Sequence, residues 1–303
     1  MSLTVVGSIA FDAVRTPFGE RERQLGGSAV HFALAASFFT DVRMVGPVGD
    51  DFGDEEIGIL EGRGIETADI ERVAGGETFF WRGHYEYDLN VAHTDDTRLN
   101  VFEHFEPKIS AEAAGSELLF LGNIQPDLQR QVRAEATGAK LVGLDSMNLW
   151  IDIARDGLEA AISEVDCVLL NDAEIRMLTE EPNLILAARK LMDLGPRIVV
   201  AKRGEYGAAL FARDGHFALP ALLLEDVRDP TGAGDSFAGG FLGYLDSLGH
   251  YDPDLTDLRR AMVYGSTMAS FNVEDFGTER VRALSRDEIE ARLEDFRDLT
   301  RFE

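Results

Sequence analysis

The residues best suited to chemistry lie in the run Asp229-Pro230-Thr231-Gly232-Ala233-Gly234-Asp235-Ser236-Phe237-Ala238-Gly239-Gly240. Gly232, Ala233 and Gly234 let the backbone pass close to a ligand. Thr231 is placed to cap a helix, and Phe237, Phe241, Leu242, Leu245 and Leu248 follow at the three- and four-residue spacings of a buried stripe. The start of a helix offers unpaired amides, and phosphate suits such a site. Asp235, in the first turn, would face that phosphate and could take the proton of an attacking hydroxyl. The same Asp could serve only as a partner for the helix dipole. No Gly-Lys-Ser/Thr follows, so the run is not a Walker A loop. Phe237 stands where a dinucleotide fingerprint needs its third glycine, which argues against a dehydrogenase.

The elements that must position this turn read as a βα alternation. Strands are expected over Leu3 to Ile9 and Val42 to Val48, and near 117–121, 140–145, 166–170 and 197–201. Helices are expected from Gly27 through Phe39, near 126–136, 150–162, 172–179 and 183–194, and near 285–296 at the acidic end. That rhythm predicts a mostly parallel sheet with helices on both faces, whose ligands collect at the carboxyl ends of its strands. Those ends offer Asn123, Asp145, Asn171 and Lys202. Residues 70–105 break the pattern: Thr78-Phe-Phe-Trp-Arg-Gly-His-Tyr-Glu-Tyr87 favours β-structure and lacks a helical stripe, so a strand pair off the main sheet is expected. No linker or repeat divides the chain, and residues 1–303 read as one domain.

Composition limits the partners. The 303 residues carry 55 acidic and 29 basic side chains, a formal charge of −26. Such a surface repels nucleic acid and anionic membranes. Lysine occurs only at 108, 140, 190 and 202. Strong acidity with scarce lysine fits adaptation to high internal salt, where counterions screen self-repulsion. No apolar run reaches spanning length, and Cys167, the only cysteine, sits in an apolar strand as an inert buried thiol. A cytoplasmic protein is expected.

The run around Asp235 resembles the C-terminal signature of the PfkB (ribokinase-like) carbohydrate and nucleoside kinases, and the likeness extends from residue 3 to about 280. It implies a ribokinase-like α/β fold with residues 70–105 contributing a small β lid. It also implies transfer of the γ-phosphate of ATP to a hydroxyl of a sugar or sugar derivative, with a nucleoside as the alternative acceptor. A binding protein that has lost turnover is the alternative from another class. Asp235 then matches the catalytic base, and Gly232, Ala233 and Gly234 the anion hole. Asp12, Gly26, Gly27 and His31 match the substrate contacts, although Ala10 and His31 stand where sugar kinases commonly carry Asn. His31 could contact substrate or only cap a packed helix.

On the nucleotide side, Asn171, Lys202, Gly204, Gly207, Thr231 and Gly277 match the family's pattern, and Ala269 to Val273 look like the helix end beside the adenine. Lys202 could meet a phosphate or stand on an exposed turn. Glu174, in Asn171-Asp-Ala-Glu174, matches a residue that places Mg2+ through water, while the same spacing makes a plain capping box. Asp229 sits where members often bind K+. His84, Tyr85, Tyr87 and Asn90 are candidate lid contacts, and the lid is also the expected face of a homodimer.

Overall fold

Short apolar strands separated by amphipathic helices satisfy their backbone in a sheet covered on both sides. The computed structural model, which describes residues 2–301, shows that arrangement. Along the chain the strands are β1 (Leu3–Val6), β2 (Ala10–Thr16), β3 (Gly19–Gly26), β4 (Val42–Val48), β5 (Ile70–Arg72), β6 (Phe79–Tyr85) and β7 (Ala92–Arg98). They continue as β8 (Leu118–Leu121), β9 (Leu141–Leu144), β10 (Cys167–Asn171), β11 (Ile198–Lys202), β12 (Ala208–Ala212) and β13 (Gly215–Leu219). The main sheet has nine strands in the order β13-β12-β11-β10-β9-β8-β1-β4-β5, parallel except for the antiparallel edge β12 and β13. Strand alternation splits the core in two. Leu118 and Phe120 of β8 pack with the helices Ser28–Ala36, Ala233–Ser247, Leu255–Asn272 and Arg286–Thr300. Leu119 and Leu121 pack with Pro126–Glu135, Arg155–Ser163, Asp172–Thr179 and Leu184–Asp193. Among the described residues no helix is long and apolar enough to cross a membrane.

A second sheet of four strands, in the order β3-β2-β6-β7, stands off the first. It corrects the sequence reading in two ways. The segment 70–105 supplies only β6 and β7 to this sheet, because Ile70–Arg72 pairs with β4 in the main one. The other half comes from β2 and β3, with β2 parallel to β6 and antiparallel to β3. The first strand accordingly ends at Val6 rather than Ile9. The helix expected near 150–162 is two helices, Asn148–Ile153 and Arg155–Ser163, broken at Ala154, where φ is −143°.

Candidate active site

The carboxyl ends of the parallel strands form the floor of a crevice. Register places Asn171, the last residue of β10, opposite Lys202, the last of β11. Asp145 follows β9, and its Oδ2 accepts from Lys202 Nζ at 2.5 Å. Only 16% of the Lys202 side chain is exposed, so it is not an exposed turn lysine. Its ammonium lies beside the catalytic turn, since a Cβ on Gly234 would come within 3.1 Å of Nζ. Burial alone would depress the Lys202 pKa, but Asp145, Glu174 and Asp235 outweigh it and raise it.

The helix Ala233–Ser247 starts differently from the expectation. Its cap is Gly232, at φ 76° and ψ 0°, and no side chain caps it. Thr231 is displaced from that role because its amide donates to Asp229 Oδ1 at 2.9 Å and its hydroxyl donates to Tyr85 at 3.2 Å. Ala233 N–H turns to the Pro230 carbonyl at 3.2 Å. The amides of Gly232 and Gly234 have no protein acceptor among the described residues. Two of the three expected anion-hole amides are therefore free in this conformation.

Asp235 stands in the first turn of that helix, half-buried, with protein around most of it. Burial and then the Asp145 carboxylate push its pKa up to about 8, with Lys202 acting against them and Asp12 adding to the rise. Asp12, 5% exposed, is raised to about 7 by burial and by Asp229. Asp12 lies against Gly26, where a Cβ would come within 1.9 Å of its Oδ2, and it accepts from the Gly27 amide. The crevice thus concentrates carboxylates under desolvation, which disfavours their charged forms.

The remaining expected site residues divide. Glu174 is spent on a capping box: its Oε2 accepts from Asn171 N, and its own N–H donates to Asn171 Oδ1, both at 2.8 Å. It also feels the crevice, since burial and then Asp145 raise it to about 7. Asp229 is fully buried and takes three donors, from Thr231 N, Gln24 Nε2 and Gly277 N. That shell ties the lid strand β3 and the Gly277 loop to the catalytic turn. Three donors leave part of the carboxylate's acceptor capacity, about four lone-pair positions, unfilled. Gly204, Gly207 and Gly277 all have positive φ, and Gly204–Tyr206 forms a short 3-10 turn after β11. Asn272 points inward: it is fully buried and hydrogen-bonded to His31, Ser236 and the Thr231 carbonyl, so this helix end does not present it to an adenine.

Besides Gln24 on Asp229, the lid reaches the floor through Tyr85 on Thr231 and through Asn90 Nδ2, which donates to Glu205 in the turn after β11 at 3.3 Å. Tyr87 is 90% exposed and His84 pairs with Asp95, so neither contributes to the crevice. Sequence reading named Trp81 only as part of a β-favouring run and missed Gln24. Trp81 is the register partner of Asp12 across β2 and β6, so the two share the crevice face of the lid. Its indole lies against Gly83, where any Cβ would come within 2.3 Å of the six-membered ring, and Nε1 donates to Thr94 at 3.1 Å. Aromatic content was visible in the sequence; the register that aims it was not.

Comparisons with known proteins show the family and the fold. Residues 2–283 match the model described as the pfkB family carbohydrate kinase. The cytidine kinase of Thermococcus kodakarensis is 31% identical over 255 residues, covering 80% of this chain and 88% of the relative. The nucleoside kinase of Methanothermobacter thermautotrophicus is 29% identical over 295 residues, covering 91% of each. Among solved structures, the Methanocaldococcus jannaschii nucleoside kinase, described as an archaeal member of the ribokinase family, superposes with a TM-score of 0.79. It is 21% identical, covering 97% of this chain and 98% of that one.

Proposed function

The chain belongs to the pfkB family of carbohydrate kinases and is an ATP-dependent phosphotransferase acting on a sugar or nucleoside hydroxyl, and from that premise we propose that its acceptor is a nucleoside. The observation that carries the choice is the Trp81 indole, which shares the crevice face of the lid with Asp12 and packs against Gly83. A planar base stacks on such a ring, while Asp12 is within reach of the ribose hydroxyls. The curated relatives named for cytidine and nucleoside phosphorylation support the same reading.

In this mechanism Asp235 takes the proton of the attacking hydroxyl, for which it must be ionised. Lys202 favours that ionised form and stands ready for a phosphate oxygen. The free amides of Gly232 and Gly234, at the positive end of the helix, take up charge that develops on the transferring phosphoryl group. Asp12 and the Gly26-Gly27 turn orient the acceptor. Asn171, the Gly204–Gly207 turn and Gly277 border the ATP. Mg2+, when bound with ATP, neutralises phosphate charge, and the Glu174 side of the crevice would hold it through water. The raised Glu174 pKa marks a buried acid that a cation would relieve. The edge strands β3 and β7 carry unpaired backbone groups, which supports a homodimer through the lid. The buried, free Cys167 is in keeping with a reducing cytoplasm.

A panel of nucleosides and free sugars, assayed with ATP and Mg2+, tests the substrate. Phosphorylated nucleosides should dominate, with the phosphate on the sugar hydroxyl by NMR. Transfer to free sugars alone would overturn the nucleoside assignment, and ATP use without any acceptor would overturn the kinase mechanism at this site.

A further inference from the structure

The catalytic turn lacks the local fastening that most helix starts have: Gly232 caps it in a left-handed conformation and no side chain completes the cap. Besides the Asp229 and Tyr85 bonds to Thr231, it is fastened by two other helices. Asn272, at the end of Leu255–Asn272, donates from Nδ2 to the Thr231 carbonyl at 2.7 Å. With that amide group so committed, its Oδ1 is the acceptor for Ser236 Oγ at 2.9 Å and for His31 Nδ1–H at 3.0 Å. His31, in the helix Ser28–Ala36, then lies face-on beneath Gly232, where a Cβ would come within 2.3 Å of the imidazole Cγ and Nδ1. His31 is 2% exposed, and Asn272 and Ser236 are fully buried. His31 Nε2 has no partner among the described residues, so its only polar bond is the one into this chain of contacts. Burial lowers the His31 pKa and keeps the ring neutral, and Asn272 Oδ1 as acceptor selects the tautomer that donates from Nδ1.

We propose that His31 and Asn272 are positioning residues that brace the Thr231–Gly234 turn so that its free amides meet the transferring phosphoryl group. The inference rests on the anion-hole role given above to those amides, and it gives His31 a function other than contact with the acceptor. Asn272 joins the Thr231 carbonyl, Ser236 and His31 through both ends of one amide, which ties the turn to two helices at once, and a donor aimed at developing charge loses its effect when the backbone carrying it shifts. Such a brace therefore acts on kcat and not on acceptor binding.

His31→Phe keeps a ring beneath Gly232 and deletes the bond to Asn272. Asn272→Ala frees the Thr231 carbonyl. Each should lower kcat by roughly 10- to 100-fold, below the 10²–10³ typical of a lost oxyanion donor, with the acceptor KM changed by less than about threefold. The double variant should lose little more than the worse single one, because both act through one chain of contacts. Ser236→Ala, a smaller change, should give a kcat loss of a few fold and serves as the test if His31→Phe does not fold. Circular dichroism and melting curves confirm folding in each case. An unchanged kcat, or losses that multiply in the double variant, would overturn the brace. A risen acceptor KM at constant kcat would overturn it in favour of His31 as a substrate contact. Asp235→Asn, run alongside, keeps failure of the brace distinct from failure of the site: a dead Asp235 variant with intact brace variants refutes only the brace.

Discussion

The main sheet and the lid divide the work of the crevice, and they are built from opposite materials. β10 and β11 are buried along almost their whole length and end in Asn171 and Lys202. β7 is exposed along most of its length and β3 along half, and exposed charged pairs such as Arg82–Glu22 and Arg98–Asp96 run over the lid. A strand held on both faces by a dry core cannot shift by a fraction of an ångström without loss of contacts. A thin sheet with one wet face opens at little cost. The difference teaches that the groups which move a proton and stabilise charge stand on the rigid element, while the groups which select and cover the acceptor stand on the soft one.

The largest effect that could break this division is the loss of the base. Asp235→Asn should lower kcat by roughly 10²–10⁴-fold, the usual worth of a positioned general base, and leave acceptor affinity nearly intact. Trp81→Ala should do the reverse. Stacking of a base is worth about 1–3 kcal/mol, so nucleoside KM should rise by about 5- to 150-fold while kcat changes little. Steady-state kinetics on both variants decide the matter. If Trp81→Ala instead removes kcat and spares KM, the lid takes part in the chemical step and the division fails.

Most of the rigid half was legible in the sequence, because apolar strands and amphipathic helices leave periodic traces and the Gly232–Asp235 turn is local. The lid was only half legible. Gly19-Glu-Arg-Glu-Arg-Gln-Leu-Gly26 is highly charged and has no apolar alternation, so β3 left no strand signal. The first strand is expected to end at Ile9, and nothing in Ala10 to Thr16 announces a strand of a second sheet. The contacts that decide the site join residues far apart in the chain: Lys202 with Asp145, Gln24 with Asp229, and His31 with Asn272, which are 241 positions apart. No periodicity encodes such pairs.

A smaller effect concerns pH, which acts on the buried carboxyls of the crevice, Asp12 of the lid strand β2 among them. Asp235 is raised to about 8 and Asp12 to about 7, both from 3.8. The base works only when ionised, so kcat/KM should climb as pH rises through about 8 in the free enzyme. Lys202→Met, which removes a cation favouring the ionised Asp235, should move that limb to higher pH. Stability should run the other way. A folded-state pKa above the unfolded value means that the stabilising contribution is complete below the unfolded pKa and is lost as pH rises through the folded one. The unliganded protein should therefore lose melting temperature between about pH 4 and about pH 8, while Asp235→Asn, which removes one of these carboxyls, should lose less. An acid limb that stays put in Lys202→Met would remove Lys202 from the control of Asp235.

The smallest expected effect is that of salt, and its sign depends on which charges matter. The formal charge of −26 is an excess of acids spread over the whole molecule, so its repulsion acts mainly across distances of many ångströms. The ion pairs act at contact, as in Arg82–Glu22 at 3.0 Å and Arg98–Asp96 at 2.9 Å, and exposed pairs of this kind are worth about 0–1 kcal/mol. Between about 0.1 M and 1 M salt the screening length shrinks from about 10 Å to about 3 Å. Long-range repulsion is then lost, whereas contact pairs keep much of their attraction. Repulsion therefore loses more than pairing does, and melting temperature should rise with KCl across that range. The lid, whose own hold depends more on exposed pairs, should gain less than the main sheet, which hydrogen exchange at residues 79–85 and 198–202 can follow separately. A melting temperature that is flat or falling would mean that the ion pairs outweigh the excess charge and would end the reading of salt adaptation. Equal gains in the two segments would show that lid and floor are held by the same forces after all.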